Sequence, residues 1–185
     1  MAQAIFDEQS CISVSFSSPS EYSIGILGAG AFGRALALRA ARNGIEVALG
    51  SRRPPTAFGD RFAANANKVR IVNPVAACQP EIVVLAVPWL AVATATAPLL
   101  DWESRIVIDA TNANRVLDRS SSALLAERLP GAYVVKALNT LSPEQLVAVE
   151  PSGWRRVVFF SGNDARAKQE TGRLLSRLGP WPVNI

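Results

Sequence analysis

From residue 23 onward, short runs of apolar residues alternate with longer segments that are apolar on one side and polar on the other. The runs are SIGIL (23–27), IEVALG (45–50), VRIV (69–72), EIVVLAV (81–87), RIVIDA (105–110), AYVVKAL (132–138) and RVVFFSG (156–162). Each is short, bounded by turn-forming residues and rich in Val and Ile, which predicts strands buried on both faces. Between them, Ala31–Asn43, Thr56–Ala66, Trp89–Leu100, Ser121–Leu129, Pro143–Val149 and Ala165–Leu178 are expected as helices, with Gly44 and Gly179 as stop signals and Pro180 barring continuation. A final WPVNI reads as an eighth strand. This rhythm predicts an α/β fold in three layers, a doubly wound and mainly parallel sheet of about seven or eight strands.

Composition narrows the class. The 185 residues are 49% hydrophobic, ample for one packed core, so residues 23–185 are expected to form a single domain. Residues 1–22 are Ser-rich and read as a flexible tail, with a short strand over Ile12–Phe16 as the alternative. Nineteen Lys and Arg against fifteen Asp and Glu leave a charge of +4, yet no basic run exceeds two residues, and no nucleic-acid partner is expected. The chain lacks a signal-peptide pattern and an 18-residue apolar run, so no membrane association is expected and a cytoplasmic location is. Cys11 and Cys78 stand far apart and read as free thiols, and without a single histidine no metal site is expected.

Within this frame, Gly28, Gly30 and Gly33 form G-x-G-x-x-G directly after the first strand and at the mouth of an Ala-rich helix. In that setting Gly28 permits the tight turn, Gly30 lets a pyrophosphate approach the backbone, and Gly33 lets helix and strand pack closely: a Rossmann-type dinucleotide fingerprint. The helix start adds free N–H groups and a positive dipole end. A glycine turn with a structural role alone is the competing reading. About 20 residues further on, enzymes that use the unphosphorylated cofactor place an acid against the ribose hydroxyls. Here that place falls at Gly50, followed by Ser51, Arg52 and Arg53, while Glu46 lies too early in the strand. A hydroxyl and guanidinium groups suit a 2′-phosphate, which a carboxylate would repel. The cofactor predicted is therefore NADP(H), the alternative being that both arginines belong to a solvated turn before Pro54 and Pro55.

The missing residues exclude chemistry too. Without histidine the usual base of 2-hydroxy-acid dehydrogenases and of Ser-His-Asp hydrolases is unavailable. Tyr133 and Lys136 are three apart in a predicted strand, on opposite faces, and so do not form the helical Tyr-Lys pair of other dehydrogenases. Hydride transfer to a conjugated ring needs less acid–base help and depends mainly on positioning. At the carboxyl ends of the later strands stand AVPW (86–89), DATNAN (109–114) and KALNT (136–140). Ala86, Val87, Pro88 and Trp89 are candidates to bound a flat ring, Thr111 and Asn112 to meet ribose or phosphate, and the backbone at Ala137, Leu138 and Asn139 to meet a carboxamide. Equally, Trp89 reads as core, Asn112 as a turn former and Asn139 as a cap.

Taken together, IGILGAGAFGRALA, VALGSRRP, VVLAVPW, VIDATNAN and VVKALNTL resemble the NADP oxidoreductases that depend on coenzyme F420, a deazaflavin, over about residues 23–184. The cytosolic domains of the six-transmembrane metalloreductases, which pass electrons to flavin and haem, carry similar GSR and VVKA stretches. The resemblance implies NADPH in a Rossmann domain and a deazaflavin or flavin ring stacked near the nicotinamide as hydride acceptor. It places Gly28, Ala29, Gly30, Ala31 and Phe32, ahead of Gly33, at the pyrophosphate. Ser51, Arg52 and Arg53 fall at the 2′-phosphate, and Ala86–Trp89 with Ala137 and Leu138 fall beside the nicotinamide. A module that binds NADP(H) and senses redox state without turnover is the second functional reading. The last strand is expected near a sheet edge, and exposed edges tend to be paired, which predicts a homodimer.

Overall fold

The computed structural model describes residues 23–64, 66–98, 102–113 and 119–185. The expected tail, the alternative strand at Ile12–Phe16 and Cys11 lie outside the described residues. Eight strands form one sheet: β1 (Ser23–Leu27), β2 (Glu46–Gly50), β3 (Val69–Val72), β4 (Ile82–Leu85), β5 (Ile106–Asp109), β6 (Tyr133–Ala137), β7 (Val157–Gly162) and β8 (Trp181–Asn184). Their spatial order is β3-β2-β1-β4-β5-β6-β7-β8, parallel except where β7 runs antiparallel to β6. The order reverses between β1 and β4, the crevice where doubly wound folds bind dinucleotides.

Strand alternation explains the three layers. Ile24, Ile26, Ile82, Val84, Ile106 and Ile108 point to one face, where they pack with Leu36, Ala37 and Ala40 of α1 (Ala31–Arg42), Leu146 of α5 (Pro143–Val147) and Leu174, Leu175 and Leu178 of α6 (Ala165–Leu178). Leu27, Val83, Leu85 and Val107 point to the other, against Trp102, Val92 of α3 (Val92–Thr96) and Leu125 of α4 (Ser121–Arg128). Burying each α6 leucine contributes about 1.5–3 kcal/mol. Helix starts follow their caps: the Ser120 side chain accepts from Ala123 N–H, Asp164 from Ala167 N–H, and Ser142 with Gln145 forms a capping box. Arg39 ties the layer together, donating to Leu178 O at 2.6 Å and Ala148 O at 3.0 Å.

Two expected helices are broken. Thr56–Ala66 divides into a 3-10 turn over Pro55–Phe58 and a four-residue α2 (Asp60–Ala63), because Gly59 between them adopts φ 71°. Trp89–Leu100 begins as a 3-10 turn, Trp89–Ala91, before α3 takes over, and its last two positions lie outside the described residues. A further expected helix, Pro143–Val149, is unbroken but stops at Val147, where Ala148 turns extended. At the far edge, β7 and β8 show their outer face: Val157, Phe159 and Trp181 are exposed while Val158 and Phe160 are buried. No described helix is long and apolar enough to cross a membrane.

Cys78 ends a 3-10 turn over Ala76–Cys78 and is wholly buried in the second cluster. Burial pushes its thiol up to about 12, with the Arg105 guanidinium opposing. A thiol held protonated is a poor nucleophile. The linked stability is fully present below pH 9 and is lost as pH rises toward about 12, because the unfolded thiol ionises first. In a Cys11→Ser variant at pH 8, a thiol reagent is expected to leave the native chain unlabelled and to modify it on addition of denaturant.

Candidate functional site

A cleft of about 410 Å³ opens at the carboxyl ends of β1, β2 and β4. Gly28, Ala29 and Gly30 form one wall, Gly50–Arg53 a second, and Ala86, Val87 and Pro88 a third. The two ends of the predicted dinucleotide site thus share one cavity with the predicted ring-binding loop.

The glycine loop is set by close contacts. Gly28 has φ 118°, and a Cβ there would lie 2.5 Å from Ala86 O. A Cβ on Gly33 would lie 1.8 Å from Gly28 O, so α1 rests directly on the loop. Gly30 differs: its φ of −71° is ordinary, and a Cβ added there would meet nothing within 4 Å. The space above it is open. As N-cap of α1 it makes no side-chain cap bond, and the first turn holds no acid, which leaves N–H donors and the positive helix end facing the cleft.

At the end of β2, Ser51 Oγ accepts from Arg53 N–H at 2.9 Å and donates to Arg53 O at 3.0 Å, a side-chain turn that fixes the loop. Arg53 Nη2 donates to Ala29 O at 3.2 Å, and its guanidinium lies 4.9 Å from the centre of the Phe58 ring. Gly50 has no room for the acid that NAD enzymes carry: a Cβ there would meet Ala77 Cβ at 2.8 Å and Ile26 O at 3.3 Å.

In the later loops the structure favours the second of the two expected readings at Trp89. Trp89 is half-buried against the second apolar cluster and does not line the cleft. Thr111 is 2% exposed, and its N–H and hydroxyl both donate to Asp109 Oδ1, at 3.0 and 2.7 Å. Asp109, fully buried, also accepts from Ser122 Oγ at 2.8 Å and Lys136 Nζ at 3.0 Å, and Lys136 bonds Thr111 O as well. These groups are occupied with one another rather than open to a ligand. Asn112 Nδ2 donates to Asn139 O at 2.9 Å, which joins the β5 and β6 loops. Ala137 and Leu138 are buried in the first cluster, and Leu138 takes φ 66°, a left-handed turn that costs a non-glycine residue about 1–3 kcal/mol. Sequence reasoning missed Asp109, Phe58 and Arg34, whose Nη1 also reaches Ala29 O at 3.0 Å.

Comparison with known proteins agrees with this geometry. Residues 23–113 match the family model described as NADP oxidoreductase, coenzyme F420-dependent, which spans β1 to the β5 loop and so the whole cleft. The chain belongs to this family of NADP oxidoreductases. Among solved structures similar to this family member is a hypothetical protein from Sinorhizobium meliloti, 38% identical, TM-score 0.78, covering 88% of this chain and 83% of that one. A candidate F420-dependent NADP-reductase from Arthrobacter sp. FB24 is 28% identical, with TM-score 0.74 and the same coverage. Metalloreductase STEAP3 of Rattus norvegicus is 30% identical over 166 residues, 88% of this chain and 33% of that protein. The chain spans about a third of the length of the curated relatives it matches.

Two glycines of the fingerprint separate by role. Gly33→Ala is expected to destabilise by about 1–3 kcal/mol or more, since backbone must move, whereas Gly30→Ala is expected to melt within a degree or two of the parent. Thermal unfolding of both variants checks this.

Proposed function

We propose that the cleft binds NADP(H) and that the chain transfers hydride between this cofactor and a deazaflavin or flavin ring. The observation that carries the reading is the single cavity joining the open backbone at Gly30 to the Ser51–Arg53 turn, with no carboxylate at the end of β2. Gly30 and the start of α1 would hold the pyrophosphate. Ser51, Arg52 and Arg53 would hold the 2′-phosphate through charge-assisted hydrogen bonds. The backbone of Ala86–Pro88 would border the nicotinamide, whose reduced form supplies the hydride.

The residues around the cleft bind and orient. Asp109 and Lys136, the ionisable pair at the ends of β5 and β6, are bonded to each other and to Thr111 and Ser122. With no histidine in the chain, an acceptor that disperses its own charge and takes a proton from water fits best. The family description and the Arthrobacter relative support deazaflavin, and the metalloreductase relatives support a reductase role.

Arg53→Ala is expected to raise the Kd for NADPH about ten-fold to a hundred-fold, the worth of a charge-assisted bond, with NADH nearly unchanged. Gly50 is closed to side chains, so a carboxylate can be introduced one residue later: Ser51→Asp should turn preference toward NADH. Calorimetric titration with both cofactors reads these effects. NADPH oxidation assayed against deazaflavin, FMN and FAD tests the reaction; tight NADPH binding without oxidation by any of them would favour the redox-sensing module.

A further inference from the structure

Arg34 follows the third fingerprint glycine and stands in the first turn of α1. A cation there opposes the helix dipole, which favours negative charge at this end. Its Nη1 donates to Ala29 O at 3.0 Å, and Arg53 Nη2 donates to that same oxygen at 3.2 Å. The two nitrogens therefore lie no more than about 6 Å apart. Both guanidinium groups also reach the Phe58 ring, Arg53 at 4.9 Å and Arg34 at 6.0 Å from its centre. Among the described residues neither has a carboxylate within ion-pair distance; the ion pairs there engage Lys68, Arg119, Lys136, Arg156, Arg166 and Arg173.

Two like charges held together by a carbonyl and a ring face repel each other, and one oxygen satisfies few of the five N–H donors that each guanidinium carries. An anion able to relieve both needs about two negative charges and several acceptor oxygens. A phosphate monoester has them, with charge near −2 and three free oxygens. A pyrophosphate bridge carries its charge on two separate phosphorus centres and is expected above Gly30 instead.

We propose that Arg34 is the second guanidinium of the 2′-phosphate site, paired with Arg53 across Ala29 O and Phe58, and that this pair sets the preference for the phosphorylated cofactor. The proposal rests on the NADP(H) reading of the cleft and adds a specificity-determining residue on α1, outside the Ser51–Arg53 turn. The pairing has a structural consequence: the 2′-phosphate is gripped from both α1 and the β2 loop, whose arginines already meet on Ala29 O.

The test uses the full chain with 2′,5′-ADP and 5′-AMP, which differ by the 2′-phosphate and lack the nicotinamide. Wild type is expected to bind 2′,5′-ADP more tightly. Arg34→Gln, which keeps a good helix former and removes the cation, should weaken 2′,5′-ADP about ten-fold or more while 5′-AMP changes less than about two-fold. Retained 5′-AMP binding shows that this variant is folded. Arg34→Lys should recover part of the loss, and an Arg34→Gln, Arg53→Ala double variant should lose less than the two single losses combined. If wild type discriminates and Arg34→Gln discriminates equally, the proposal is overturned and the NADP(H) reading stands. If wild type binds the two nucleotides alike, both fail.

Discussion

The contact between Gly33 and the carbonyl of Gly28 is the constraint from which the site follows. A methyl group at residue 33 would lie 1.8 Å from that oxygen, so α1 approaches the β1 loop as closely as a helix without a side chain can. Its first turn is thereby held at the mouth of the cleft. The same loop is bound on its other side, where Gly28 N–H donates to Gly50 O at 3.3 Å. One backbone hydrogen bond thus joins the glycine loop to the end of β2. Ala29 O, presented by this loop, collects Arg34 and Arg53, so two regions far apart in sequence meet on a single acceptor.

On the far side of the switch between β1 and β4, the strand ends are secured by a different interaction. Asp109 is fully buried and accepts four hydrogen bonds, from Thr111 N–H, Thr111 Oγ1, Ser122 Oγ and Lys136 Nζ. A buried carboxylate stripped of its cation costs about 3–5 kcal/mol, so the network holds β5, β6 and α4 in register. It also ties up the ionisable pair that would otherwise resemble an acid–base couple. At the end of β6 the chain turns through a positive φ at Leu138, whose side chain is buried in the first cluster.

Much of this was legible in the sequence, because strand periodicity and glycine spacing are local signals. Short apolar runs and the closing WPVNI identified all eight strands, and Gly44 and Gly179 marked where α1 and α6 stop. What escaped depends on contacts between distant segments. Thr111 reads as a ligand until Asp109 is seen to take its hydroxyl. Trp89 reads equally as ring platform and as core until its neighbours in the second cluster are known. Gly59 carries no signal that its φ is positive, so Phe58 was hidden inside an expected helix. Arg34 was visible beside the fingerprint, but its meaning required the shared carbonyl.

Everything proposed for this cleft turns on a phosphate monoester seated between guanidinium groups at the Ser51–Arg53 turn and α1. Phosphorus NMR of NADPH bound to the full chain observes that group itself, since the 2′-phosphate resonance shifts as the dianion takes up a proton near about pH 6 in water. Paired guanidinium groups favour the dianion and lower that pKa. The bound 2′-phosphate signal is expected to stay at its dianionic position from about pH 7.5 down to about pH 5.5, a window spanning the free cofactor's own titration. A bound signal that follows the free titration curve would contradict the assignment.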